Sequence, residues 1–189
     1  MAGMTTAVKR LLCLGDSNTF GFNPAAPMEG PYQGRWTDLL TGWQVLNRGQ
    51  NGLTIPQESE VYADLIQSLL PLDAVTVMLG TNDLLAGETA EQVTGKMKTF
   101  LTALQERCPN IKFILISPPV MTWGDWVQKE SILTESARLG QCYRALAEEL
   151  GVGFADAGEW GIPLTFDGVH LTQEGHRIFA EGVQRTIDQ

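Results

Sequence analysis

A chain of 189 residues, 43% hydrophobic and 19% charged, can build one hydrophobic core without metal or disulfide staples and is not disordered. Its net charge of −9 offers no basic face for nucleic acid or for an anionic membrane surface, and no apolar run is long enough to span a bilayer. Three cysteines without metal-like spacing point to reduced thiols in a cytoplasm, and only two histidines leave little material for a transition-metal site.

The opening residues lack the apolar core of a signal peptide, so the run Leu11-Leu12-Cys13-Leu14 reads as structure. Val8 to Leu14 is the first strand. It stops at Gly15-Asp16-Ser17-Asn18, a glycine and a small polar cluster. Such a cluster by itself is most often a turn or cap. The loop from Gly21 to Gln33 is rich in Gly and Pro and too long for a simple connection, so it is expected to shape a site beside Ser17. Arg35 to Leu40 reads as a short helix and Trp43 to Leu46 as the second strand. Gly49 and Gly52 follow, at positions suited to positive φ or close approach.

Glu58 to Leu70 carries apolar residues at helical spacing. Asp73 to Leu79 is β-branched and uncharged after Asp73, as expected of a strand covered on both faces. It runs into Gly80-Thr81-Asn82-Asp83. Thr89 to Arg107 is a helix and Ile111 to Ile116 the fourth strand. Trp123 and Trp126 lie on a loop, as a pocket wall, a subunit contact or ordinary packing. Lys129 to Leu150 is helical, with Gly140 as an expected interruption. Val152 to Ala155 is the fifth strand, and Thr172 to Ile187 the last helix. Strands alternating with helices imply an α/β chain forming a single three-layer αβα domain over residues 1–189, with a five-stranded parallel sheet.

Ser17, Gly52, Asn82 and the pair Asp167 and His170 all follow strands, so a parallel sheet gathers them at one edge. With strand order 2-1-3-4-5, Ser17 and Asn82 flank the crevice at the topological switch point. The set fits acyl transfer. A serine needs a base, His170 is a candidate, and Asp167 lies three residues earlier across a glycine that permits a tight turn. The backbone N–H groups of Ser17 and Gly52 and the Asn82 amide are candidate oxyanion donors. Asp156, ending the fifth strand, is a rival acid, and His176 reads as structural or exposed. A phosphate-cradling loop of a non-catalytic binding module fits less well, because it gives the distant Asp167–His170 pair no role.

These blocks, Gly15-Asp16-Ser17, Gly52, Gly80-Thr81-Asn82-Asp83 and Asp167-Gly168-Val169-His170, occur in the order of the GDSL/SGNH hydrolases, which the chain resembles over nearly its whole length. The resemblance implies a flavodoxin-like fold, with Ser17 as nucleophile, Asp167 and His170 completing a triad, and Ser17, Gly52 and Asn82 forming the oxyanion hole. It implies no cofactor and a small-molecule ester as partner. Asn18 replaces the leucine of the family's namesake motif, at a position with no assigned role. Gly34-Arg35-Trp36 after the long loop looks like the branch of bacterial arylesterases and acetyl esterases, several of which are homo-oligomers. Hydrolysis of short-acyl esters is the expected activity. Lysophospholipase, thioesterase and acyltransferase activities of the same family are the alternatives. Phe20, Trp123 and Trp126 are the expected substrate-pocket walls.

Overall fold

In the computed structural model, residues 8–189 are described; the reading of the opening residues as lacking a signal-peptide core falls mostly outside them. Five strands form one parallel sheet in the order β2-β1-β3-β4-β5. They are β1 (Lys9–Gly15), β2 (Trp43–Gly49), β3 (Ala74–Met78), β4 (Lys112–Ser117) and β5 (Gly153–Asp156). The helices are α1 (Ser17–Phe20), α2 (Ser59–Ser68), α3 (Thr81–Leu85), α4 (Ala90–Arg107), α5 (Glu130–Leu150) and α6 (Gln173–Ile187).

Successive side chains of a strand point to opposite faces, and this divides the apolar residues of β1 between two cores. Leu12 and Leu14 join Val75, Val77, Phe113 and Leu115 under α2, α4 and α5. Leu11 and Cys13 join Met78, Ile114 and Ile116 under α6 and the short turn at Trp36–Asp38. Trp36, Trp160 and Phe179 close this second core, with ring centroids 4.9 Å apart for Trp36–Phe179 and 5.3 Å for Trp160–Phe179. Because both faces are covered, the central strands carry near-continuous apolar runs rather than alternating ones.

Local signals set the helix ends. Thr89 and Gln92 form a reciprocal capping box that starts α4. Gly151, in the left-handed region at φ 66°, ends α5. Gly140 does not interrupt α5, which runs unbroken over 21 residues. The Asp156 carboxylate packs onto the bare helix surface at this glycine, where an added Cβ would lie 2.3 Å from Asp156 Oδ2. The segment after Arg35 is a single 3-10 turn rather than a helix, and β2 continues three residues past Leu46 to Gly49. The short helices α1 and α3 replace what read as loop.

Candidate active site

The nucleophile candidate sits where β1 turns into α1. Asp16 caps that turn, its Oδ1 accepting from Asn18 N at 2.9 Å. The one-turn helix fits because two paired strand residues, Gly15 and Gly49, carry no side chain. A Cβ on Gly15 would lie 2.1 Å from Thr19 Oγ1, and one on Gly49 2.1 Å from Phe20 N. Ser17 is thereby held at the C-terminal edge of the sheet, 7% exposed.

The strand order brings the distant histidine to it. His170 Nε2 is 2.9 Å from Ser17 Oγ, and His170 Nδ1 is 2.6 Å from Asp167 Oδ2. Asp167 Oδ1 accepts from three more donors: Val169 N at 2.9 Å, His170 N at 3.0 Å and Thr165 Oγ1 at 2.8 Å. Burial pushes the Asp167 carboxyl up, but the hydrogen bonds from the His170 ring, the two amides and Thr165 outweigh it and hold the group well below the usual carboxylate range. Asp167 is therefore an anion at neutral pH. As an acceptor at Nδ1 it keeps the proton on that nitrogen and leaves Nε2 free to accept from Ser17.

Gly168 makes this turn possible. Its φ is +79°, and a Cβ there would lie 2.1 Å from the carbonyl oxygen of Thr122. The tryptophan loop is stitched to the same turn by three backbone bonds. Thr122 N donates to Gly168 O at 3.0 Å, Asp125 N to Phe166 O at 3.2 Å and Trp126 N to Asp167 O at 3.1 Å. Asp156 takes no part: it caps the turn after β5, its Oδ1 accepting from Gly158 N at 2.9 Å.

The three candidate donors, Ser17, Gly52 and Asn82, all line one cavity. The first amides of a helix have no intrahelical partner. In α1 the Asn18 amide goes to Asp16, and the amides of Thr19 and Phe20 go to Asp16 O at 3.1 and 2.9 Å. The Ser17 amide has no acceptor among the described residues. Gly52 stands at φ +76°, and among the described residues no atom outside its chain neighbours lies within 4 Å of where its Cβ would be, so backbone conformation rather than crowding requires the glycine. The Asn82 amide donates to Leu53 O at 3.0 Å, which ties α3 to the Gly52 loop and leaves its second N–H available. Asp83 beside it is buried, accepting from Ile55 N at 3.1 Å and from Lys96 at 3.3 Å, so the two loops are locked from below.

Ser17, Asn51, Gly52, Asn82 and His170 line a cavity of about 190 Å³ together with Phe22 and Trp126. The two aromatic rings flank the imidazole, with centroids 4.9 Å away for Phe22 and 5.3 Å for Trp126. Phe20, expected in this wall, does not line it. Its backbone lies against Gly49 and its carbonyl accepts from Arg35 at 2.6 Å, so the wall belongs to Phe22, two residues on. Trp123 does not line the cavity either and is 61% exposed. A larger groove of about 530 Å³ between Leu39, Ala180 and Gln184 is lined by no serine, cysteine or histidine. His176 is fully buried. Its Nδ1 accepts from Trp36 N at 3.2 Å and its role is structural.

A buried serine, histidine and aspartate in hydrogen-bond sequence, at the switch point of a parallel sheet, defines the SGNH type of serine hydrolase site. The chain belongs to the GDSL-like Lipase/Acylhydrolase family, whose sequence profile matches residues 13–178. A GDSL esterase/lipase of Arabidopsis thaliana is 26% identical over 146 residues, 62% of this chain and 60% of that protein. The chain thus spans less than two thirds of that curated relative's length. The native aryl esterase of M. smegmatis superposes with a TM-score of 0.81 at 26% identity, covering 95% of this chain and 98% of that one. A carbohydrate acetylesterase family member from Sinorhizobium meliloti gives 0.82 at 26% identity, covering 95% and 97%.

Proposed function

We propose that this chain is a serine esterase that hydrolyses short-acyl carboxylic esters through an acyl-enzyme. The observation that carries the reading is the continuous hydrogen-bonded line from Ser17 Oγ through His170 to Asp167, opening on a cavity of about 190 Å³. His170 takes the proton from Ser17 as its oxygen attacks the ester carbonyl carbon. The Asp167 carboxylate stabilises the imidazolium that forms. The carbonyl oxygen becomes an oxyanion facing the amides of Ser17, Gly52 and Asn82, each such donor contributing ~3–4 kcal/mol to the barrier reduction. His170 then protonates the departing alcohol. Water, deprotonated by the same histidine, attacks the acyl-serine; the bond between the acyl carbon and Oγ breaks, His170 returns the proton to Ser17 Oγ, and the acid is released.

The small, largely apolar cavity favours acetyl-type groups over long chains. The likeness to an aryl esterase and a carbohydrate acetylesterase supports an aryl or sugar alcohol as the leaving group. Three free cysteines fit a reducing, cytoplasmic setting.

The test is turnover of p-nitrophenyl esters from acetate to long acyl chains by wild type and Ser17→Ala. Activity greatest on acetate and reduced to background in Ser17→Ala is the expected result. A maximum at long chains would move the substrate to lipids. Absence of both turnover and fluorophosphonate labelling at Ser17 would overturn the reading.

A further inference from the structure

Resting on the esterase reading, we infer that Asn18 is a positioning residue that sets the distance between Ser17 and His170. The aspartate, the histidine and the turn between them form a unit that holds itself together. Asp167 Oδ1 and Oδ2 satisfy the His170 ring, the His170 and Val169 amides and Thr165, all within residues 165–170. Nothing in that unit fixes where Nε2 stands relative to a serine 153 residues earlier.

Asn18 supplies the tie. Its side chain is 3% exposed and bridges the two peptide groups on either side of His170. Asn18 Nδ2 donates to Val169 O at 3.1 Å, and Asn18 Oδ1 accepts from Leu171 N at 3.1 Å. Both ends of one short, planar amide are thus used on the base's own backbone. Its backbone is fixed in turn: Asn18 N donates to Asp16 Oδ1 at 2.9 Å and Asn18 O accepts from Trp36 Nε1 at 3.0 Å. The residue next to the nucleophile therefore grips the residues next to the base. A side chain with only two torsions transmits position with little slack. Leucine has the same branching at Cγ, with bulkier methyl groups, and makes neither bond.

Displacing a reacting pair by about 1 Å can slow reaction ~10²-fold. Asn18→Leu is accordingly expected to lower kcat for p-nitrophenyl acetate ~10–100-fold with KM within about two-fold, because substrate contacts are untouched. Fluorophosphonate labelling of Ser17 should slow by the same factor, since it needs the same proton transfer. The downfield proton resonance of the Asp167–His170 hydrogen bond should persist, because that unit is self-contained. This combination separates a positioning role from general loosening, which would lower the melting temperature and lose the resonance too. Asn18→Ala, which removes bulk instead of adding it, serves the same comparison if Asn18→Leu does not fold.

A folded variant that labels and turns over like the wild type overturns the inference. So does failure of both variants to fold, which would make Asn18 a folding residue. If wild type itself neither turns over esters nor takes the label, the esterase reading falls first and this inference with it.

Discussion

The Asn82 side-chain amide donates to the carbonyl of Leu53 at 3.0 Å, so one group anchors the Gly52 loop, keeps a second N–H unused by that bond, and lines the cavity that holds Ser17. Substituting alanine removes both. Asn82→Ala is expected to lower kcat by ~10²–10³ with a smaller change in KM, because the donor acts mainly on the charge developed in the transition state. Steady-state kinetics on p-nitrophenyl acetate decides it, and an unchanged kcat would take Asn82 out of the oxyanion hole.

The two candidate acids differ in their surroundings. Asp167 is bonded to the imidazole, whereas Asp156 serves a backbone amide. Asp167→Asn should reduce kcat by ~10³–10⁴, because the amide no longer enforces the productive tautomer. Asp156→Asn should stay within a few-fold of wild type. The opposite ranking of the two variants would reassign the acid.

Trp126 closes the cavity against the His170 ring. Removing the indole enlarges the space, so Trp126→Ala should move the preferred p-nitrophenyl ester from acetate toward butyrate or hexanoate. A change of ~10-fold in the ratio of kcat/KM values is expected, the scale of a methylene or two in an apolar pocket. An unaltered chain-length profile would assign Trp126 to the leaving group instead.

His176 is buried, its Nε2 without a partner among the described residues, and burial, aided by the nearby Arg35 charge, brings its pKa down to about 4 from the ordinary 6.5. Between those values the unfolded chain binds a proton that the native state refuses. Stability is thus fully present above pH 6.5 and is lost as pH falls toward 4, a contribution of up to about 3 kcal/mol. Buried Asp16 works in the opposite sense: burial raises its pKa to about 6, so the native state is the better proton binder as pH drops below that. Urea midpoints measured at pH 7 and pH 4.5 should therefore differ more in wild type than in His176→Gln. Equal differences would show that His176 does not contribute to the acid sensitivity.

The sheet and its reactive edge were legible because their signals are local. The uncharged β-branched run of β3 reads directly as a doubly covered strand, and Asp167, Gly168 and His170 lie within one turn. What escaped depends on contacts across the fold. Asn18 has no visible role in sequence because its partners are backbone groups of Val169 and Leu171, which carry no residue signature. The α5 glycine reads as a break until Asp156 is seen to occupy its missing side-chain space. Phe20 reads as the wall residue because it stands nearest Ser17 in sequence, but its backbone is wedged against Gly49 and Phe22 lines the cavity instead. A four-residue helix such as α1 has too few residues for any periodicity to appear.

The 153-residue separation of Ser17 from its base has a bearing on biosynthesis. During synthesis Ser17 emerges long before His170, and it remains chemically idle until residue 170 has emerged and the sheet edge has assembled around it. No shorter piece containing β1 and β3 alone can acylate itself or attack cellular esters. On the esterase reading, turnover of a chromogenic ester would report in real time that Ser17 and His170 have come together at the sheet edge.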